Sequence, residues 1–319
     1  MKRIAVLTSG GDSPGMNAAV RSVVRTGLYR GLEVYGIRHG YKGLMEGDFV
    51  QLESRSVAGI IHRGGTILYT ARSEEFKTTE GQEEAIRQLR AHSIEGLIVI
   101  GGDGSYRGAM ELQKRGVPVI GIPGTIDNDI AGTDETIGYD SALNTALESV
   151  RKLRDTASSH DRLFIVEVMG RESGYLALEV AVASGAESVV LPEMQFDECK
   201  LCDEIHWARD KKKDHFFIIL AEGAMSAHEL RTRLEDTAGY TARITVLGYL
   251  LRGGSPTCYD AVLATSMGAH AVESILQGQE GVMVGSVDHK IVTNPLKMAW
   301  EGKKPLSEDL LRLMRIMNT

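Results

Sequence analysis

The sequence predicts an α/β fold with largely parallel sheets, and three observations carry that prediction. Short, continuously apolar runs recur along the chain, segments of helical periodicity separate them, and several runs end in glycine-rich turns. Strands apolar on both faces belong to sheets covered on both sides, the usual setting of parallel strands linked by helices.

The first run, Ile4-Ala5-Val6-Leu7, leads into Ser9-Gly10-Gly11-Asp12. The helix that follows carries small or apolar residues at Val20, Val23, Val24, Gly27 and Leu28, alternating steps of three and four. Gly96-Leu97-Ile98-Val99-Ile100 leads in the same way into Gly101-Gly102-Asp103-Gly104-Ser105 and a helix through Leu112. Val117 to Ile122, Leu163 to Val168, Ser188 to Leu191 and Phe216 to Leu220 read as further buried strands. Helical patterns such as Leu143, Ala146, Leu147 and Val150 lie between most of them. The repeated strand-GGD pattern puts two glycine turns at the carboxyl ends of strands, where open α/β sheets bind ligands.

With 319 residues, 43% hydrophobic and 25% charged, the composition is globular and allows one large unit or two domains. Lys plus Arg total 36 against 43 Asp plus Glu, a formal charge of −7. Such a chain is a poor general binder of nucleic acid or membrane, so any polyanion must be held by local arginines and backbone amides. The apolar run Ile4 to Leu7 is too short for a signal peptide or a membrane span, and three cysteines do not suggest a disulfide scaffold. A cytoplasmic location is expected. Cys199, Cys202 and His206 fall on one helix face, but no second CxxC follows, and ordinary helix residues outweigh a metal site there.

Chemistry concentrates in a few segments. Bare glycine backbone in Gly101 to Ser105 lets amides at a helix N-terminus approach a phosphate. An aspartate there repels the phosphate unless a cation lies between, which makes Asp103 the candidate Mg²⁺ residue; the plain alternative is a tight turn with a capping aspartate. The segment lacks the Gly-Lys-Ser/Thr ending of a Walker loop and the spacing of a dinucleotide fingerprint. Thr8 to Gly15 is a second phosphate candidate, with a simple turn as the alternative. Pro123-Gly124-Thr125-Ile126-Asp127-Asn128-Asp129 puts two carboxylates two residues apart, where an extended chain would aim both to one side. A general base beside a phosphoryl donor is the functional reading, and an Asx-rich turn is the structural one. Arg72, Arg162, Arg171, Arg243 and Arg252 lie in or beside glycine-containing or strand-end segments and can fork onto phosphate, although a solvated role is the better reading of any one alone. Glu222 follows a strand and either accepts from a sugar hydroxyl or caps a turn.

Taken in order, the two GGD turns, PGTIDND, Met169-Gly170-Arg171-Glu172-Ser173-Gly174-Tyr175 and Leu250-Leu251-Arg252-Gly253-Gly254-Ser255-Pro256 resemble the bacterial ATP-dependent 6-phosphofructokinases (phosphofructokinase A family), from the first strand to the last helix. The resemblance implies two Rossmann-like α/β domains with the active site in the cleft between them: 1–138 plus 251–301 for ATP, and 139–250 plus 302–319 for the sugar phosphate. It implies transfer of the ATP γ-phosphoryl group to O1 of fructose 6-phosphate, giving fructose 1,6-bisphosphate and ADP. By position, Gly11, Arg72, Ser73, Gly102, Asp103, Gly104 and Ser105 match the ATP site, with Asp103 on Mg²⁺. Asp127 matches the proton acceptor, while Thr125 and Arg171 match supports of the transferring group. Thr125, Ile126, Asp127, Met169, Gly170, Arg171, Glu222, Tyr249 and Arg252 match the sugar-phosphate site. Arg162 and Arg243 match residues reaching in from a neighbouring subunit, which implies a homotetramer.

Arg21, Arg25, Arg154, Gly185 to Glu187, Lys211 and Lys213 match an effector site for ADP as activator and phosphoenolpyruvate as inhibitor. Arg21 and Arg25, one helical turn apart, also read as a solvated face. The chain departs from the family at Tyr249, where histidine is usual and where a phenol can still donate to a phosphate oxygen, which bears on sugar-phosphate affinity; departures at Lys211, Asp214 and Gly59 predict a weak allosteric response. Pyrophosphate-using relatives carry aspartate at the position of Gly104 and lysine at that of Gly124, so glycines there favour ATP. Two rival readings, another GGDG-type kinase and a non-catalytic sugar-phosphate sensor, leave PGTIDND or the retained Asp103, Asp127 and Arg171 without a purpose.

Overall fold

The computed structural model describes residues 1–157, 162–213, 215–302 and 304–317, with the side chain of Arg162 also outside the description. In chain order the elements are β1 Arg3–Thr8, α1 Met16–Tyr29, β2 Glu33–Ile37, α2 Gly40–Glu46, β3 Phe49–Leu52, α3 Thr79–Ala91, β4 Gly96–Gly101, α4 Asp103–Lys114 and β5 Val119–Pro123. There follow α5 Tyr139–Ala157, β6 Arg162–Val168, α6 Tyr175–Ser184, β7 Ser188–Val190, α7 Glu198–Asp210, β8 His215–Ala221, α8 Ala227–Ala238 and β9 Ala242–Val246. Then come α9 Cys258–Leu276, β10 Val282–Val287, β11 Lys290–Pro295, α10 Met298–Glu301 and α11 Glu308–Met317. The chain divides into two units, one of residues 1–125, 129–141 and 252–304, the other of 126–128, 142–251 and 305–319.

The first unit holds a seven-stranded sheet in the order β11-β10-β5-β4-β1-β2-β3. Its central strands are parallel, and β3 and β11 are antiparallel edges. Alternation along the strands gives each face its own core. Ile4, Val6, Ile98, Ile100, Ile120 and Ile122 pack with α1 and α9 on one side. Ala5, Leu7, Leu97, Val99 and Val119 pack with α2, α3 and α4 on the other. The interior positions of these strands are therefore apolar on both faces, as the sequence pattern requires.

Strand order reverses between β1 and β4, which lie side by side with Thr8 beside Ile100. That reversal is the place where open α/β sheets leave a crevice at their carboxyl edge. Both GGD turns stand there.

The second unit holds a four-stranded parallel sheet, β7-β8-β6-β9. One face buries Leu163, Ile165, Phe216, Ile218 and Leu220 against Leu201 and Ile205 of α7 and Leu230 and Leu234 of α8. Side by side at its carboxyl edge are the ends of β6 and β8, which feed Met169-Gly170-Arg171 and Glu222-Gly223. No helix among the described residues is long and apolar enough to cross a membrane.

Candidate active site

In the first unit the strand ends bring three turns together. Ser9 N–H donates to Ile100 O at 2.9 Å, and Gly124 N–H donates to Gly101 O at 3.1 Å. A Cβ on Gly101 would lie 2.5 Å from Ser9 O and 2.6 Å from Ser105 Oγ, so this close approach requires glycine. Ser105 is buried, and its carbonyl accepts from Tyr41, whose ring stacks on Phe76.

Helix α4 begins at Asp103 with no side chain capping its N-terminus. A Cβ on Gly104 would meet nothing within 4 Å. The uncapped end of a twelve-residue helix thus opens onto space, the arrangement that receives an anion. The half-exposed Asp103 carboxylate lies 3.8 Å from Arg107 Nε, one turn along the helix. No group of three or more His, Cys, Asp or Glu comes together among the described residues. This set fits a hard cation such as Mg²⁺, which takes one or two carboxylates and fills its shell with water and substrate oxygens; it does not fit a cation caged by protein.

The same unit brings Arg252 against Gly11. A Cβ on Gly11 would lie 3.3 Å from both Cζ and Nη1 of Arg252, so the guanidinium covers the bare backbone of the first GGD turn. Arg252, expected among the sugar-phosphate residues, thus packs against a residue expected in the ATP site. Thr125 belongs here too: its Cβ lies 3.9 Å from where a Cβ on Gly102 would stand, and its carbonyl accepts from Thr136 Oγ1 at 2.6 Å. Ser73 Oγ accepts from Phe76 N–H at 3.2 Å, and Arg72 is exposed beside it.

Gly124 has a different reason from Gly104. A Cβ there would stand 3.1 Å from both Ile100 Cγ2 and Met16 Cε, so its missing side chain makes room for the core. The donor argument therefore rests on Gly104 and not on Gly124.

Ile126, Asp127 and Asn128 belong to the second unit. Asp127 is buried, and its Oδ2 lies 3.3 Å from Arg171 Nε, with the carboxylate 5% and the arginine side chain 50% exposed. Asn128 has φ +51°, so the chain is not extended here, and the expectation that Asp127 and Asp129 point to one side of an extended strand is not met. Asparagine tolerates this left-handed conformation better than most residues.

Arg171 itself has φ +51° and follows Gly170 at φ +146°. Glu222 Oε1 accepts from Gly170 N–H at 3.2 Å and from Arg171 N–H at 2.9 Å, anchoring the 169–171 turn to the end of β8. Both readings of Glu222 stay chemically available, since only Oε1 is used in the turn. Tyr249 is 80% exposed in the 3-10 turn Gly248–Arg252, and Arg243 is exposed on the edge strand β9. The Arg162 side chain lies outside the described residues.

The effector candidates divide between the units. Arg21 and Arg25 stand on α1, with Arg25 Nη2 donating to Ser54 O at 3.0 Å, and a Cβ on Gly59 would meet nothing within 4 Å. In the second unit Arg154 donates to His215 Nε2 at 2.8 Å and to Gly185 O at 2.6 Å, and lies over the Phe217 ring. Glu187 Oε2 accepts from Phe217 N–H at 2.7 Å. Lys211 and Lys213 both lie over the Trp207 ring, at 6.0 and 5.1 Å from its centre. Glu187 and Lys213 line a cavity of about 690 Å³, whereas Arg154, Gly185 and Lys211 do not; Asp214 lies outside the described residues.

Two contributors escaped the sequence reading. Arg107 was detectable as the residue four positions after Asp103 on a helix. Gly223 carries no signal beyond being a glycine after a strand. A Cβ there would lie 1.8 Å from Arg171 O.

Comparison with known proteins identifies the family. The phosphofructokinase family model matches residues 3–275. The chain is 53% identical over 318 residues to the ATP-dependent 6-phosphofructokinase of Listeria welshimeri, covering 100% of each. It is 53% identical over 319 residues to that of Thermotoga neapolitana, again covering 100% of each. Among solved structures, Pichia pastoris phosphofructokinase in the T-state superposes with a TM-score of 0.90 at 34% identity, over 99% of this chain and 39% of that one. A family match across most of the sequence, full-length relatives above half identity and a shared three-dimensional fold have one meaning: the chain belongs to the phosphofructokinase family.

Proposed function

We infer that this chain transfers the γ-phosphoryl group of ATP to O1 of fructose 6-phosphate, giving fructose 1,6-bisphosphate and ADP. The observation that carries the reading is the buried Asp127 carboxylate held by Arg171 at 3.3 Å, inside the TIDND segment of a chain whose full-length relatives are ATP-dependent 6-phosphofructokinases. The chemistry needs little covalent participation from the protein. It needs positioning, a proton acceptor and cations where charge develops.

In this reading the first unit supplies the donor side. Gly11, Gly102, Gly104 and Ser105 leave backbone bare for phosphates, with Arg72 and Ser73 alongside. Asp103 would hold Mg²⁺, which when bound neutralises charge on the donor phosphates. The second unit supplies the acceptor side. Asp127 accepts the O1 proton, and Arg171, opposite in charge and half exposed, stabilises the transferring phosphoryl group together with Thr125. Met169, Gly170, Glu222, Tyr249 and Arg252 bind the sugar phosphate with Ile126. The open space at Gly104 supports ATP over pyrophosphate as donor, because a nucleotide needs room beyond its β-phosphate.

Arg162 and Arg243 serve the neighbouring active site of a cytoplasmic homotetramer, a role that suits the exposure of Arg243 on an edge strand. ADP and phosphoenolpyruvate act weakly through the effector residues.

The test is ADP release by purified protein with Mg²⁺ and ATP, with fructose 6-phosphate, other phosphorylated ketohexoses, or no sugar. The expected result is release that depends on fructose 6-phosphate. Faster turnover with pyrophosphate, or release independent of the sugar, would overturn the assignment.

A further inference from the structure

We propose that Gly223, with Glu222 before it, is a positioning residue for the reaction, fixing the backbone of Arg171 so that its guanidinium meets Asp127. The proposal rests on the phosphoryl-transfer reading given above and adds a residue to it.

A residue other than glycine at φ +51° occupies a sparsely populated conformation, and such a conformation persists only where its surroundings impose it. The end of β8 imposes it on Arg171 from two sides. Glu222 Oε1 gathers the amides of Gly170 and Arg171, at 3.2 and 2.9 Å, which holds the turn from its donor side. Gly223 acts on the acceptor side. A Cβ on it would stand 1.8 Å from Arg171 O, 2.9 Å from Arg171 C and 3.2 Å from Glu172 Cα. All three are backbone atoms, so no side-chain rotation relieves the overlap. The carbonyl of Arg171 fills the space that any side chain at position 223 would take.

The consequence reaches the reacting groups. The turn follows β6, its partner segment follows β8, and the two strands are parallel neighbours paired from Arg162–His215 to Val168–Ala221. From this base the Arg171 side chain runs to Asp127, with Nε 3.3 Å from Oδ2. A shift of the Arg171 carbonyl therefore moves the guanidinium relative to a carboxylate that is itself buried. Reactions that depend on near-attack geometry lose about 10²-fold for a displacement on the order of 1 Å.

The test is a double-mutant cycle read by steady-state kinetics with ATP and fructose 6-phosphate. Gly223→Ala should lower kcat by roughly 10²-fold. In an Arg171→Ala background it should add less than about a twofold further loss, because residues that act through one group are not additive. A merely structural glycine would cost the same factor in both backgrounds, and that result overturns the proposal, as does a Gly223→Ala enzyme with more than half of wild-type turnover.

Should Gly223→Ala not fold, Glu222 carries the test. A glutamine carbonyl oxygen can accept both amides, so at saturating fructose 6-phosphate Glu222→Gln should keep at least about tenfold more kcat than Glu222→Ala, and the alanine loss in kcat should vanish in the Arg171→Ala background, while a lost sugar contact raises KM in both backgrounds. Equal kcat damage by glutamine and alanine, or an alanine loss in kcat that persists without Arg171, overturns it. Wild-type protein run alongside separates the two claims: no sugar-dependent ADP release defeats the functional reading itself, whereas an active wild type with additive variants defeats only the positioning role.

Discussion

Replacing Asp260 by asparagine probes the buried polar network that ties the start of α9 to the start of α5. Asp260 stands in the first turn of α9 with no solvent exposure. Its Oδ1 accepts from Gly138 N–H at 2.9 Å, and its Oδ2 accepts from Ser141 N–H at 2.7 Å and Ser141 Oγ at 2.6 Å. Burial pushes its pKa up from 3.8 to about 6, with the neighbouring Asp140 charge adding to the rise and the hydrogen bonds from Ser141 and Gly138 opposing it. A carboxyl that holds its proton more tightly when folded makes stability fall as pH rises. Its contribution is complete below about pH 4 and is lost as pH climbs through about 6. The rise corresponds to about 3 kcal/mol, of which about 1–2 kcal/mol falls between pH 5 and pH 8.

Asp260→Asn removes the titration, so the variant's own stability lacks this pH dependence, and it loses about 1–3 kcal/mol because an amide cannot accept from all three donors. The assay is equilibrium urea unfolding across that range. Trp300, in the same unit as Asp260, serves as reporter, with Trp207 replaced by phenylalanine in both proteins. The stability gap favouring the native aspartate should narrow by about 1–2 kcal/mol from pH 5 to pH 8. A gap that stays constant or widens would refute the reasoning.

Two further outcomes follow from the geometry. Gly104→Asp fills the open space at the start of α4 that a nucleotide needs beyond its β-phosphate, and should cut kcat/KM for ATP by about 10²-fold while costing pyrophosphate less; unchanged ATP kinetics would contradict this. With Lys211 in place of the usual arginine and Arg154 engaged by His215 and Gly185, the fructose 6-phosphate saturation curve should stay close to hyperbolic in micromolar phosphoenolpyruvate, and a strongly sigmoidal curve would count against it.

The buried parallel strands were legible because sheets covered on both faces leave a continuous apolar signature. Ile4 to Leu7, Gly96 to Ile100, Leu163 to Val168 and Phe216 to Leu220 all fall inside observed strands. Val117 was placed too early, since the strand begins only after Pro118, which has no N–H for the ladder. The edges left no such signature. β9, Ala242–Val246, is half exposed, and β3 and β11 are mostly part-exposed along their length. The β10–β11 hairpin turns through Asp288 and His289, at φ +49° and +61°, where the usual Asn-Gly cue is missing.

At the site, residue types and strand ends could be read from the chain, as with Asp103 at the head of α4 and Asp127 after β5. Partnerships across sequence could not. That Arg252 lies on Gly11, that Glu222 gathers two amides and that Gly223 clears a carbonyl are matters of strand order and close approach, which no local pattern encodes.

The most direct measurement is turnover of Asp127→Asn with saturating ATP and fructose 6-phosphate. The substitution keeps the shape of the side chain and removes its capacity to take a proton. With Asp127 as the proton acceptor, kcat falls on the order of 10²–10⁴-fold while KM for both substrates changes by no more than about fivefold. Turnover within a few-fold of wild type would mean that the proton leaves by another route, and that the buried carboxylate beside Arg171 is not what makes this chain a kinase.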